Sequence, residues 1–470
     1  MTVPAAEAAT LPNPSTLNIP AWLRVAVPLV IAALLFVVRV RGVSRDFWLL
    51  GDQIRDWGIA LGSPSSLPLI GPGTHVHGYT IGPAFYWILW AIRVVVGPWF
   101  QNLPHAGGIG QALLQSGADA LLLTAVWKKT GSVWLALTTV VLVGTGPFDL
   151  ALSAIIWNPL MGAMLAKTAT ALVLLDWHRG SLTRLGITAA VAWISVHAYT
   201  GSIFVALSIF AALLADAVIR RDWGTIRRRG LVITGVVAAL QIPYAIHQFS
   251  TGFSDSAMGA VTDSLKTVLS GRANVRFAAS AAYYGGALTT IQSNPWPVSA
   301  WIWIWLSCSA ALMVRSRNDP ALLAVTLLPQ VAAIIGYALW INDLDHYYYL
   351  SLAPALVLTM VLGAAAFAVR RLEPYVGIGL FVTALTIVPL RLREAAPMLK
   401  MPEYGVLVAG SREIVKRGLP MQSIEPEFAL PATSDPAFVF RVLGGRIDRQ
   451  AEWRAVISPD GRVTYVNSRR

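Results

Sequence analysis

Apolar residues occur along the chain in long runs that are separated by short polar segments. About eleven of these runs have roughly 17–21 residues, enough for an α-helix to cross a hydrocarbon core of about 30 Å. The pattern therefore predicts an all-α polytopic membrane protein. The predicted spans lie near residues 21–40, 107–127, 131–149, 157–176, 185–200, 201–219, 230–249, 298–314, 320–340, 349–369 and 374–391.

One further apolar run, Gly82–Gly97, is too short to count as a span. At about 1.5 Å per residue it reaches only ~24 Å, and Arg93 interrupts it. We predict a helix that lies flat on the membrane surface. With that choice, the loops near 150–156, 197–203 and 341–348 contain no lysine or arginine, and the loops on the opposite side are basic.

This distribution of basic residues predicts a cytoplasmic N-terminus, because short cytoplasmic loops carry an excess of lysine and arginine. Arg39, Arg41 and Arg45 fall on the predicted outer side, against the rule, and an anion-binding loop would tolerate them. The basic residues on the predicted cytoplasmic side are Lys128, Lys129, Arg179, Arg184, Arg220, Arg221, Arg227, Arg228, Arg229, Arg315, Arg317, Arg370 and Arg371.

The spans and loops together predict the domain organisation. Residues 1–20 form a cytoplasmic tail, and residues 21–391 form the membrane domain with long external loops at 41–106 and 250–297. Residues 392–470 form a small external α+β domain.

Alternating apolar and polar residues in that tail predict strands. The stretch RAVISPDGRVTYV reads as two strands around a Pro-Asp-Gly turn, and FVFRVL reads as a third strand.

Composition supports a membrane protein: 56% of the residues are hydrophobic and 13% are charged, whereas soluble domains have about 25% charged residues. The sequence contains neither a dinucleotide-binding glycine motif nor a phosphate-binding P-loop motif. The net charge of +12 fits basic cytoplasmic loops, so we expect no nucleic-acid partner. Cys308 is the one cysteine, which excludes an internal disulfide framework.

The segment GDQIRDW, shortly after the first span, concentrates charge in this apolar chain. If Leu49 to Ala60 is helical, Asp52, Arg55 and Asp56 share one face. One interpretation is a solvated helix whose arginine pairs with its aspartates. The other is a catalytic carboxylate beside a phosphate-binding cation, because sugar transfer from a lipid phosphate needs a base for the acceptor and positive charge for the leaving group.

The order of several motifs resembles one family. GDQIRDW, LPLIGP and GYTIGPAFYWIL are followed by a span with Gln115 and Ser116, then WNPLMG and HYYYLSLAPAL. Over most of residues 20–391 the chain resembles GT-C glycosyltransferases, and within them the protein O-mannosyltransferases and lipid A aminoarabinose transferases of bacteria. The resemblance implies a GT-C-like fold.

The resemblance also implies an activity, namely transfer of a sugar from polyprenyl phosphate to a lipid, glycan or protein hydroxyl outside the bacterial inner membrane. No soluble cofactor is implied, and a divalent metal ion stays open. Carried over by position, Asp52 is the catalytic carboxylate and Gln53 stands where many members have glutamate. Asn158 lies near a second external aspartate of the family, with Asp149 as the alternative.

Several polar residues of the predicted external side are candidates for binding the substrate. Two histidines flank Val76, and their side chains would point the same way in an extended loop; metal binding is the alternative use of such a pair. The full predicted substrate-binding set is Gln53, Arg55, Asp56, His75, His77, Tyr79, Arg272, Arg276 and His346.

Asp119 and Lys167 lie inside predicted spans at similar depth. Charges within a membrane are costly, so they are usually paired or functional. We predict a structural ion pair between them.

The sequence supports two classes of function. The first is an integral-membrane glycosyltransferase with an aspartate base. The alternative is a transporter or flippase of a lipid-linked glycan, which would place polar residues near the bilayer midplane. A non-catalytic scaffold ranks third.

Overall fold

The computed structural model describes residues 20–74, 78–253, 257–270, 280, 298–340, 344–369, 372–396 and 401–468. The chain is predominantly helical, which confirms the predicted fold class. The helices are α1 (Leu23–Val40), α2 (Val43–Asp46), α3 (Gly51–Ala60), α4 (Ala84–Val95), α5 (His105–Thr130), α6 (Val133–Gly144), α7 (Pro147–Leu152), α8 (Asn158–Leu174), α9 (Leu182–Ala198), α10 (Ile203–Ile219), α11 (Trp223–Ser250), α12 (Ala257–Leu269), α13 (Val298–Arg315), α14 (Pro320–Thr326), α15 (Leu328–Ala338), α16 (Ala353–Ala366), α17 (Glu373–Ala395), α18 (Glu403–Lys416) and α19 (Pro436–Val442).

Every apolar run predicted to span the membrane coincides with helical structure. Within the described residues, 7 helical segments are long and apolar enough to cross a membrane, so the protein is a multi-pass membrane protein. The count of eleven spans stays a prediction, because α6, α8, α9 and the apolar segment Ile302–Arg315 of α13 are shorter. The 7 segments are Leu23–Asp46, His105–Thr130, Thr200–Ile219, Trp223–Ser250, Pro320–Ala338, His346–Ala366 and Glu373–Ala395.

The run between Gly82 and Gly97 forms α4, a helix of 12 residues. At about 1.5 Å per residue such a helix is roughly 18 Å long, too short to cross the hydrocarbon core. It packs against α3, α5 and α9. The predicted flat orientation on the membrane remains an expectation.

The C-terminal region contains the predicted hairpin. Strands β4 (Trp453–Ile457) and β5 (Val463–Asn467) are antiparallel neighbours, and β3 (Ile424–Pro426) runs parallel to β4 on its other side. A second, two-stranded sheet in the first long loop pairs β1 (Gly73–Thr74) with β2 (Gly78–Tyr79).

The prediction that FVFRVL forms the third strand is wrong, since these residues belong to α19. The helix starts there because Asp435 accepts a hydrogen bond from the Ala437 N–H at 3.0 Å and Pro436 occupies the first turn. An aspartate cap followed by proline is a strong helix start. Three side chains of this helix are buried: Phe438, Val439 and Phe440.

Two hydrophobic clusters hold the structure together. One fills the helical body, with residues such as Leu122, Val196 and Leu358. The other joins the first long loop to the C-terminal region, and includes Trp57 and Phe440, both fully buried. Burial of each such side chain stabilises the fold by about 1.5–3 kcal/mol. The loop that carries GDQIRDW is therefore packed against the C-terminal region.

Candidate active site

Helix α3 brings three charged residues of the GDQIRDW segment together. The guanidinium of Arg55 donates from Nη1 to Asp52 Oδ1 and from Nε to Asp56 Oδ1, each at 2.8 Å. The i,i+3 spacing of Asp52 and Arg55 makes the first contact possible within one helix. The two carboxylates differ in environment, since the side chain of Asp52 is 66% exposed and that of Asp56 is 4% exposed.

Asp56 has a second partner on the neighbouring helix. Tyr86, which is buried on α4, donates its hydroxyl to Asp56 Oδ1 at 3.0 Å. Burial raises the pKa of the Asp56 carboxyl, because loss of water disfavours the carboxylate more than the hydrogen bonds from Arg55 and Tyr86 favour it. Asp56 therefore holds the Arg55 guanidinium from its buried side, while the Asp52 carboxylate is exposed to solvent.

Tyr86→Phe tests this support. Removing the hydroxyl leaves the buried Asp56 with one donor fewer, so we expect a loss of about 1–2 kcal/mol in the free energy of unfolding. Thermal or denaturant unfolding of the purified protein in detergent measures it. Tyr79→Phe is the matched control, because Tyr79 is 43% exposed and Tyr86 is 3% exposed. Equal stability of the two variants would contradict the supporting role of Tyr86.

The side chain of Gln53 binds backbone groups, whereas the sequence predicted a contact with substrate. It is 2% exposed, its Nε2 donates to the carbonyl of Ile156 at 3.1 Å, and its Oε1 accepts from the Leu50 N–H at 3.2 Å. Both ends of the amide are thus used to hold the loop. This placement does not support the expected contact between Gln53 and substrate.

The remaining predicted binding residues are spread over the first loop and the later helices. Tyr79 ends the small β1–β2 sheet. His346 begins a 3₁₀ turn, His346–Leu352, that leads into α16. The predictions for His75, His77, Arg272 and Arg276 fall outside the described residues.

Inside the helical body lies a group of four charged side chains, here called the buried charge cluster: Arg39, Asp119, Asp149 and Lys167. Arg39 Nη2 lies 2.7 Å from Asp119 Oδ2 and 2.9 Å from Asp149 Oδ2. Lys167 contacts Asp119 and lies 3.8 Å from Asp149 Oδ2. None of the four residues is more than 8% exposed. Two cations thus face two carboxylates, and the cluster carries no net charge.

The structure therefore brings the predicted pair Asp119 and Lys167 into contact, and adds two members. Arg39, at the last turn of α1, does not belong to an anion-binding loop as its position in the sequence suggested. Its guanidinium turns into the helical body, where two carboxylates neutralise it. Since Arg39 contributes no charge to the loop that follows α1, it is no longer an exception to the predicted charge distribution.

A small cavity borders the buried charge cluster. Its volume is about 30 Å³, with Gln115, Asp149 and Lys167 among its lining residues. Sites for small organic ligands typically measure about 300–1,000 Å³. The cavity is therefore far too small for a sugar or a lipid headgroup, and this geometry favours a structural cluster.

Three residues of these arrangements, Tyr86, Arg39 and Asp149, were not assigned these contacts from the sequence. Tyr86 lies within GYTIGPAFYWIL, but nothing in that string connects it to Asp56. Arg39 did leave a signal, because a charge at the end of an apolar run on the predicted outer side of the membrane needs a partner. Among the residues that the structure describes, no group of three histidine, cysteine, aspartate or glutamate side chains could hold a metal ion.

Comparison with known proteins shows a likeness of structure without a likeness of sequence. No protein-family model matches the sequence, and no curated protein matches it. ArnT from Cupriavidus metallidurans, solved with undecaprenyl phosphate bound, matches with a TM-score of 0.52 and 14% identity over 93% of both chains. The apo form of that protein matches with a TM-score of 0.53 over the same shares.

An oligosaccharyltransferase from Archaeoglobus fulgidus covers 92% of this chain and 65% of its own, at a TM-score of 0.46 and 14% identity. The ArnT match covers 93% of both chains. The chain therefore has the ArnT fold, and the GT-C-like fold expected from its motifs is confirmed.

Proposed function

We propose that the protein is an integral-membrane glycosyltransferase that transfers a sugar from polyprenyl phosphate to a hydroxyl acceptor on the external face of the inner membrane. The observation that carries the proposal is the exposed Asp52 carboxylate held beside Arg55 on α3. It occurs in a chain with the fold of ArnT, a protein whose structure holds undecaprenyl phosphate.

The proposed reaction is a direct displacement with inversion at the anomeric carbon. Asp52 takes the proton of the acceptor hydroxyl as its oxygen forms a bond to that carbon. The bond from the carbon to the phosphate oxygen breaks, and its electron pair leaves with polyprenyl phosphate. Charge grows on that phosphate, and a guanidinium offers forked donors to it. The exposed position of Asp52 leaves room for the acceptor.

Arg55 has the geometry for this role. Its Nε is committed to Asp56 and its Nη1 to Asp52. Within the described ranges, no carboxylate pairs with its remaining nitrogen, Nη2. Asp56 and Tyr86 are both buried, so an anion would approach the guanidinium from its exposed side. The side chain of Arg55 is 45% exposed, which agrees with a ligand approaching from outside.

The first test is reconstitution in vesicles with a pool of polyprenyl-phosphate sugars labelled in the sugar, and a cell-envelope extract as acceptor. We expect the label to leave the lipid and appear on the acceptor, with release of polyprenyl phosphate. A flippase would carry the labelled lipid to the opposite leaflet with the sugar–phosphate bond intact. The proposed enzyme activity is refuted if the intact labelled lipid only changes leaflet. It is also refuted if the label neither leaves the lipid nor appears on the acceptor.

A further inference from the structure

The N–H of Leu50, the residue before helix α3, is bound by Gln53 Oε1, but the N–H of the first helical residue, Gly51, needs a partner from outside the helix. The first N–H groups of an α-helix have no partner inside the helix, and a serine, threonine, aspartate or asparagine usually supplies one. The residue before α3 is Leu50, whose apolar side chain cannot do so. Instead, the Gly51 N–H donates to Thr433 Oγ1 at 3.3 Å, from a residue 382 positions later in the chain.

The next residue of the C-terminal region holds the same turn. Ser434 Oγ donates to the carbonyl of Leu49 at 2.6 Å. The approach of the two segments is close, since a Cβ at Gly51 would lie 3.2 Å from the Cβ of Thr433 and 3.3 Å from its carbonyl oxygen. Glycine at position 51 thus lets Thr433 reach the helix start.

Further contacts keep the C-terminal region in place against this loop. The Met401 N–H donates to the carbonyl of Asp46 at 3.3 Å. The rings of Tyr404 and Phe47 lie 5.3 Å apart. The C-terminal region therefore contacts the chain both before and after the turn that leads into α3.

We propose that Thr433 and Ser434 are positioning residues for glycosyl transfer. They fix the first turn of α3, and Asp52 is the residue directly after the Gly51 N–H that Thr433 binds. If this turn frays, the Asp52 carboxylate loses its direction relative to Arg55. Neither residue touches the reacting groups, so both act through Asp52. The inference rests on the proposed function.

The test compares two double variants that differ in whether the hydroxyl groups are present. Thr433→Val with Ser434→Ala removes both hydroxyl groups, and Thr433→Ser with Ser434→Thr keeps both. We expect the first variant to lower kcat about tenfold, the scale on which loss of a helix cap depopulates an ordered first turn. KM for the labelled polyprenyl-phosphate sugar should stay within about twofold of wild type, because donor contacts are unchanged. The second variant should keep wild-type kcat.

Hydrogen exchange gives a readout that does not depend on activity. Amides of residues 51–54 should exchange faster in the hydroxyl-free variant, while the melting temperature falls by no more than about 2–4 °C. The inference is overturned if the wild type is active and the hydroxyl-free variant has an unchanged kcat. It is also overturned if the wild type is active and hydrogen exchange at residues 51–54 is unchanged in that variant. An inactive wild type refutes the proposed function, and exchange at residues 51–54 alone then decides whether Thr433 and Ser434 hold α3.

Discussion

Asp52→Asn is expected to lower kcat for sugar transfer by at least about 100-fold. The amide keeps the size of the side chain but cannot accept the acceptor proton, and general bases typically contribute about 10²–10⁴-fold. Stability should change little, because an exposed ion pair such as Asp52–Arg55 contributes about 0–1 kcal/mol. The measurement is single-turnover and steady-state transfer by purified protein in vesicles, with thermal unfolding in parallel.

Glu413→Gln is the matched control for this variant. Glu413 and Lys416 form another exposed i,i+3 pair, with Nζ and Oε2 3.3 Å apart, on a helix that holds no predicted catalytic residue. We expect wild-type turnover from this control. If Asp52→Asn retains full activity, or if both variants lose activity equally, the assignment of Asp52 as the base is wrong, even where the protein transfers sugar.

Lys167→Met should cause the largest loss of stability, about 3–5 kcal/mol in the free energy of unfolding. The change removes one of two cations from the buried charge cluster and leaves Asp119 and Asp149 with Arg39 alone. Breaking a buried ion pair from one side is costly because the remaining charge has lost both water and partner. Thermal or denaturant unfolding in detergent measures the loss.

The double variant Asp119→Asn with Lys167→Met distinguishes pairing from simple packing. It restores charge balance, because Arg39 and Asp149 remain as one cation and one carboxylate in direct contact. We therefore expect a smaller loss of stability than in Lys167→Met alone. Strictly additive losses would show that the two residues do not interact. Lys129→Met is the control, because its partner Asp319 is 26% exposed and regains water when the lysine is removed.

The buried charge cluster shows how far sequence reasoning reaches. Asp119 and Lys167 stand out in the sequence, because each is a charge within an apolar run. Arg39 stands out only as an exception to the predicted charge distribution, and nothing in the sequence connects it or Asp149 to this pair, since both lie near the ends of apolar runs. Only the packing of α1 against α5 and α7, and of α5 against α8, brings these side chains together.

The C-terminal region marks a second limit. The alternation in RAVISPDGRVTYV was sufficient to predict β4 and β5, because a Pro-Asp-Gly turn strongly favours a hairpin. The same reasoning misassigned FVFRVL, because short apolar runs suit a buried strand and a buried helix equally well. The cap formed by Asp435 decided between them, and that local signal was present in the sequence.

The sequence by itself determined the helical membrane architecture, the acidic pair on one face of α3 and the pairing of charges within the spans. Each of these depends on neighbours a few residues apart or on the cost of charge in an apolar medium, and both can be read along the chain. Only the tertiary structure decided which carboxylate is exposed, that Tyr86 supports Asp56, and that Thr433 caps α3. Those contacts join residues that are 30 and 382 positions apart, and their formation depends on how the helices and the C-terminal region pack.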